Sequence, residues 1–187
     1  MDTITLRSDI AVRVDEGGAY GTFDGVANVM GVIDSYDSVW FPGAFSGNGA
    51  LDAFVARGWI AADHDWGIDE AIGYPTAASE SGNLLEISGA FHSTSRAQSV
   101  RAILSERPGP TGLSVAARLN WDRVAYFESG SDLWAFAQGS GLDMALFDPS
   151  IRVHDGYCWA IPEVSELREV SITLTPAVPG STVATVR

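Results

Sequence analysis

A serine hydroxyl is hardly ionised at neutral pH, so it becomes a nucleophile only beside a base. Histidine is the side chain that takes up and returns a proton near neutrality. Of the three His residues, His92 follows an apolar hairpin pattern, His154 lies in an irregular stretch, and His64 closes the run "WIAADHD" between Asp63 and Asp65. Only His64 combines a strand on one side with carboxylates that could hold its ring and favour its protonated form. Ser114 follows Gly112 and Leu113 where a loop becomes a strand. Glycine permits close backbone approach there, and neighbouring N–H groups could face a developing oxyanion. Ser171, in Glu169-Val170-Ser171, is a second strand serine with an acid nearby.

The same residues have plainer readings. An Asp-flanked His can be a solvated turn residue, and a serine at a strand start can be structural. Asp63-His64-Asp65 also carries oxygen and imidazole donors suited to a divalent ion. Three consecutive strand residues rarely converge on one ion, because alternate side chains point to opposite faces, and no metal is expected. Composition removes further chemistries. All 11 basic residues are Arg, which excludes Ser-Lys dyads, Schiff-base lysines and the P-loop lysine. With 24 acidic residues the formal net charge is -13; no basic stripe is visible, so nucleic acid is not an expected partner, and a basic or neutral surface suits this charge better. Cys158 is alone, so it forms no intramolecular disulfide and supplies at most one zinc ligand. No 18-residue apolar run occurs, and the opening "MDTITLRSDI" lacks a basic region followed by an apolar one. The expectation is a cytoplasmic protein that does not enter a membrane.

The elements that must position these residues follow from periodicity. At 187 residues, 46% hydrophobic and 19% charged, the chain reads as one globular domain over residues 1–187. Residues 3–14 partly alternate, and after Glu16-Gly17-Gly18 a second strand-like run reaches Met30, which predicts an antiparallel opening pair. Leu51, Phe54 and Val55 share a helical face, with Asn48 as the expected cap and Gly58 as the stop. Residues 71–91 read as a hairpin around Ser81-Gly82-Asn83. A second helix is predicted from a capping box of Ser95 and Gln98 with Val100, Ile103 and Leu104, ended by Pro108-Gly109-Pro110. "TGLSVAARLNWDRVAYF" is a strand, or two with a bend near Asn120, and residues 167–174 alternate as another. Residues 128–163 read as an inserted loop with some local structure. Its aromatic residues form either a contact surface or lid, or a satellite cluster packed on the same domain.

Taken in order, "FPGAFSGNGAL", "ADHDWGIDEAIGYP", "GNLLEISGAF", "TGLSVAARL" and "LREVSITLTPAVPGSTVATV" resemble the prohead, or capsid-maturation, serine proteases of tailed phages. The order and spacing carry the resemblance over most of residues 20–187. It implies that His64 is the general base and Ser114 the nucleophile. It implies a carboxylate as third member, for which Glu169 on a neighbouring strand is the choice and Asp65 the fallback. The family looks related to the herpesvirus assembly proteases, so the expected fold is α+β: a mainly antiparallel β-barrel with a few surrounding helices. The aromatic-rich segment at about 126–160 departs from the common pattern. By resemblance the substrates are the scaffold protein, or the scaffolding segment of the major capsid protein, and the protease itself. The same resemblance implies a location inside the assembling prohead in the host cytoplasm, a phage or prophage origin, no cofactor, and compatibility with a homo-oligomer.

Two rivals come from other classes. A non-catalytic scaffold or core protein of the prohead could carry the same fold, although such a protein would be free to lose His64, Ser114 or Glu169. A hydrolase of small esters would be expected to carry a Gly-x-Ser-x-Gly elbow, whereas residues 112–116 end in Ala116.

Overall fold

The computed structural model describes residues 19–106 and 111–186. The opening strand expected over residues 3–14 and the Pro108-Gly109-Pro110 stop lie outside them. Seven strands form the main sheet, in the order β10 (Thr182–Val186), β1 (Thr22–Val29), β5 (Leu84–Phe91), β4 (Ala71–Ser81), β3 (Trp59–Ala62), β9 (Val164–Thr173) and β6 (Gly112–Leu119). The hairpin β4–β5 turns at Gly82, which has a φ of 61°. Such a positive φ at the head of a two-residue turn suits glycine. Phe23, Met30, Phe54, Ile60, Ile72 and Leu85 are fully buried in the core of this sheet.

The fold is α+β, and one expectation about it needs correcting. The sheet is mixed and curls as a half-barrel, because β3 and β9 run parallel, with Trp59 opposite Glu169 and Ala62 opposite Ile172. A parallel pair cannot be joined by a tight hairpin; here residues 63–163 form the connection. Curling brings β6 towards β1, where a Cβ at Gly25 would sit 2.8 Å from Leu113 Cδ1. Only the absence of a side chain at residue 25 permits that approach.

The two expected helices are present with different caps. Helix α1 spans Ala50–Arg57 and buries Ala50 and Phe54, but its cap is Gly49 at a φ of 67°. Asn48 also takes a left-handed φ, of 55°, and its amide donates to Glu163 instead. Gly58 is the last cap but is extended, its N–H bonded to Phe54 O at 2.6 Å. Helix α2 spans Ser95–Glu106, and Thr94 caps it by accepting from Ala97 N at 3.3 Å. The Gln98 side chain donates to the carbonyls of Tyr20 and His92, each at 2.9 Å, so the Ser95–Gln98 box does not form.

Residues 128–163 are more ordered than an inserted loop. They contain helix α3 (Gly130–Gly139), two short 3-10 turns (Met144–Leu146 and Pro149–Val153) and strand β8 (Cys158–Ile161). Ser129 caps α3 by accepting from Asp132 N at 3.3 Å, and its hydroxyl donates to the Asp132 carboxylate at 2.8 Å. β8 lies between β2 (Ser38–Trp40) and β7 (Ala125–Phe127) in a second sheet. Val39, Phe41, Leu133, Phe147, Ile151 and Cys158 form its buried cluster, whereas Tyr126, Tyr157 and Trp159 remain exposed. The aromatic residues thus divide between a satellite core and a surface.

This packing yields a stability prediction. A Cβ on Gly130 would sit 1.8 Å from the Ile151 carbonyl oxygen, while one on Gly139, at the other end of α3, meets nothing within 4 Å. Gly130→Ala is expected to destabilise by about 1–3 kcal/mol through overpacking, and Gly139→Ala to be neutral or stabilising, because alanine favours helix. Thermal melts of the two variants check this, at roughly 2–4 °C per kcal/mol for a domain of this size.

Candidate active site

Alternation along β9 puts Val170 and Ile172 in the main core and turns Glu169 and Ser171 to the opposite face. The antiparallel register of β6 sets Ser114 beside Ser171 and Ala116 beside Glu169. Side chains directly opposite in such a pair share one face, so Ser114, Ser171 and Glu169 face the same way. That face is also covered: Glu169 and Ser171 are 0% exposed and Ser114 is 5% exposed.

His64 reaches this face through a tight reversal. Asp63 and His64 have φ values of 54° and 58°, and Asp65 N donates to Ala62 O at 3.1 Å. Positive φ at both central residues is the type I′ pattern, which Asp and His tolerate better than most side chains. The turn is pinned to β9 by Asp63 N bonding Ile172 O at 3.1 Å and His64 N bonding Ser171 Oγ at 2.7 Å. Without the reversal, a residue two beyond the end of β3 would lie past Ile172, out of reach of Glu169.

The His64 ring is held by Glu169, with Nδ1 2.9 Å from Oε2. The same oxygen accepts from Trp66 Nε1 at 3.3 Å, and Oε1 accepts from the Ser171 hydroxyl. With a carboxylate on Nδ1, the proton sits on that nitrogen and Nε2 keeps a free lone pair. The hydrogen bond to Glu169 raises the His64 pKa above the ordinary imidazole value; burial opposes this, and the charges of Glu169 and Asp63 add to it. Asp65 faces elsewhere, its Oδ1 accepting from Gly67 N at 3.2 Å, so Glu169 and not Asp65 engages the ring.

His64 and Ser114 line one cavity of about 310 Å³, together with Asn28, Asp34, Trp40 and Trp66. Ser171, by contrast, spends its proton on Glu169 and a lone pair on the His64 amide. A hydroxyl so committed and fully buried cannot attack a substrate. The Ser114 hydroxyl has no hydrogen-bond partner among the described residues, so it remains available to the cavity. Compared with protein-family models, curated proteins and solved structures, the chain matches none.

Part of the cavity lining is organised by a residue that the spacing of motifs does not reveal. Asp34 Oδ1 accepts from Tyr36 N at 2.8 Å and Ser38 N at 2.9 Å, and Oδ2 from Trp40 Nε1 at 3.0 Å. Burial pushes its carboxyl pKa up, against the three N–H donors. Trp66, two residues beyond His64, carries no motif either, although a tryptophan N–H so close in sequence is a candidate partner for the acid. Its loss is expected to be mild: Trp66→Phe removes one of three donors to Glu169, and any hydrolysis that depends on His64 should slow only about 3- to 10-fold in steady-state assays.

His92 packs its ring on Tyr74, and His154 lies 3.8 Å from Asp37; neither lines this cavity. Among the described residues no three His, Cys, Asp or Glu side chains are grouped to hold a metal ion.

Proposed function

We propose that this chain is a serine endopeptidase of the prohead-maturation kind, with Ser114 as nucleophile, His64 as general base and Glu169 as the residue that orients and charges His64. The observation that carries the reading is the contact of His64 Nδ1 with buried Glu169, on the wall of the cavity that Ser114 also lines. Ser114 Oγ would attack the scissile carbonyl carbon while its proton passes to His64 Nε2. Backbone N–H groups would stabilise the oxyanion. His64 would then give that proton to the amine as the C–N bond breaks, leaving an ester on Ser114. Water would attack the ester, lose a proton to His64, and release the carboxylic acid and the serine hydroxyl.

A peptide substrate is favoured by the surroundings. β6, which carries Ser114, is an edge strand, and an edge can accept an extended chain through main-chain hydrogen bonds. Tyr36 and Trp66, 74% and 59% exposed, stand at the cavity as apolar contacts for substrate side chains. By resemblance the peptides would be scaffold or capsid segments and the chain itself, and the half-barrel would be an opened form of the herpesvirus-protease barrel. An alkyl fluorophosphonate is the direct test. Mass spectrometry should find the adduct on Ser114 and none on Ser171; an adduct on Ser171, or none at all, would end the proposal.

A further inference from the structure

Asn28 is an unexplained polar cost. Its side chain is fully buried, and neither Oδ1 nor Nδ2 has a hydrogen-bond partner among the described residues. The other buried side-chain atom without a hydrogen bond among the described residues, Glu70 Oε2, is ion-paired with Arg96. Desolvating a primary amide without replacing its bonds is among the larger destabilisations a single residue can cause.

A bulge aims it. Along β1, Phe23, Gly25 and Ala27 are buried, and Thr22, Asp24 and Val26 are half-buried on the other face. Strict alternation would put Asn28 with the second set. Pairing with β5 slips between Val26, opposite Glu86, and Asn28, opposite Leu85. The extra residue inverts the face, so that Ala27 and Asn28 are both buried and Val29 is not. Asn28 thereby joins His64 and Ser114 in lining the cavity.

A primary amide offers a donor and an acceptor side by side, and here neither is bonded among the described residues. The N–H and C=O of one extended residue, which point to the same side, satisfy both at once, whereas an ester or carboxylate group offers acceptors only. We infer that Asn28 recognises the main chain of one extended substrate residue, Nδ2 donating to that residue's carbonyl and Oδ1 accepting from its N–H. The inference rests on reading this cavity as a peptidase site, and it assigns Asn28 a part in selecting amides over esters.

The test is binding without turnover, in the full chain carrying Ser114→Ala. Calorimetry would compare a set of N-acetyl tripeptide methylamides, varied in side chain, with analogues in which one amide N–H at a time is replaced by an ester oxygen. One replacement should weaken binding about tenfold, and Asn28→Leu should weaken the all-amide peptides at least as much while abolishing that position's sensitivity. Asn28→Leu should also keep or raise the Tm, which an amide retained for structure would not allow. The inference is overturned if no peptide binds, if no position of the scan is sensitive, or if the sensitivity survives in Asn28→Leu. Should Asn28→Leu fail to fold, Asn28→Ala takes its place in the scan, and the same loss or survival of the sensitivity decides. Failure of the fluorophosphonate to label Ser114 in the unmutated chain would instead refute the nucleophile, a separate result.

Discussion

On the proposed mechanism, Ser114→Ala abolishes peptide hydrolysis, with kcat/KM falling on the order of 10³-fold or more, while the melting temperature stays where it was. The hydroxyl to be removed has no hydrogen-bond partner among the described residues, and its volume is small, so the stability change should remain within about 0.5 kcal/mol. His64 is a different case structurally. It sits at a φ of 58°, where alanine is strained, and it is one of three donors to a buried carboxylate. His64→Ala should therefore lose activity and also stability, by about 1–3 kcal/mol. His64→Asn tolerates the left-handed turn and separates the two effects: activity lost, most of the stability kept. The Ser114→Ala, His64→Asn double variant should be scarcely slower than either single one, because nucleophile and base act as a unit. Progress curves on a labelled peptide, beside thermal melts, check all three. Near-normal turnover by Ser114→Ala would remove Ser114 from the mechanism.

The parts of this site differ in how far the sequence exposes them. The alternation Glu169, Val170, Ser171, Ile172 is readable as a strand with one polar face, and the structure has β9 there with Val170 and Ile172 in the core. What alternation cannot convey is that this polar face lies beside residue 59 of a strand more than a hundred positions earlier. That depends on a parallel pairing set by no hairpin. Ser114 and Ser171 are alike in sequence terms, each a strand serine near plausible chemistry. They separate only when the hydrogen bonds of Ser171 are counted and found to use up its hydroxyl. Asn28 is concealed by the same logic as the register: a single bulged residue flips a side chain, and bulges leave no mark in a residue pattern. Helix α3 is another matter. Ser129 three residues before Asp132, with Leu133 and Ala137 behind it, is a legible start signal. The surrounding Gly and Ser residues mask it, and their composition is that of a loop.

Glu169→Gln should slow hydrolysis roughly 10²- to 10⁴-fold, with the size of the effect dependent on pH. The substitution keeps shape and removes charge. If the glutamine oxygen faces Nδ1, the ring keeps its tautomer but loses the charge that stabilises the imidazolium formed as Ser114 gives up its proton. If the amide nitrogen faces Nδ1, the proton moves to Nε2 and His64 can no longer act as a base. Either orientation costs rate. The pH profile distinguishes this from a merely structural loss. His64 must be neutral to accept a proton, and its hydrogen bond with Glu169 raises its pKa. The acid limb of kcat/KM should therefore lie above that of an ordinary imidazole in the unmutated chain, and move to lower pH in Glu169→Gln. Stability should report the same coupling with a fixed sign. A raised folded-state pKa contributes stability that is complete below the unfolded value and disappears as pH rises through the folded one. The His64 share of the Tm gap between unmutated chain and variant should accordingly shrink as pH is raised through that window. Asp65→Asn is the control, since Asp65 bonds Gly67 N and not the ring, and it should leave both limb and rate within about threefold. A limb that fails to move in Glu169→Gln, or that moves in Asp65→Asn instead, would transfer the orienting role away from Glu169.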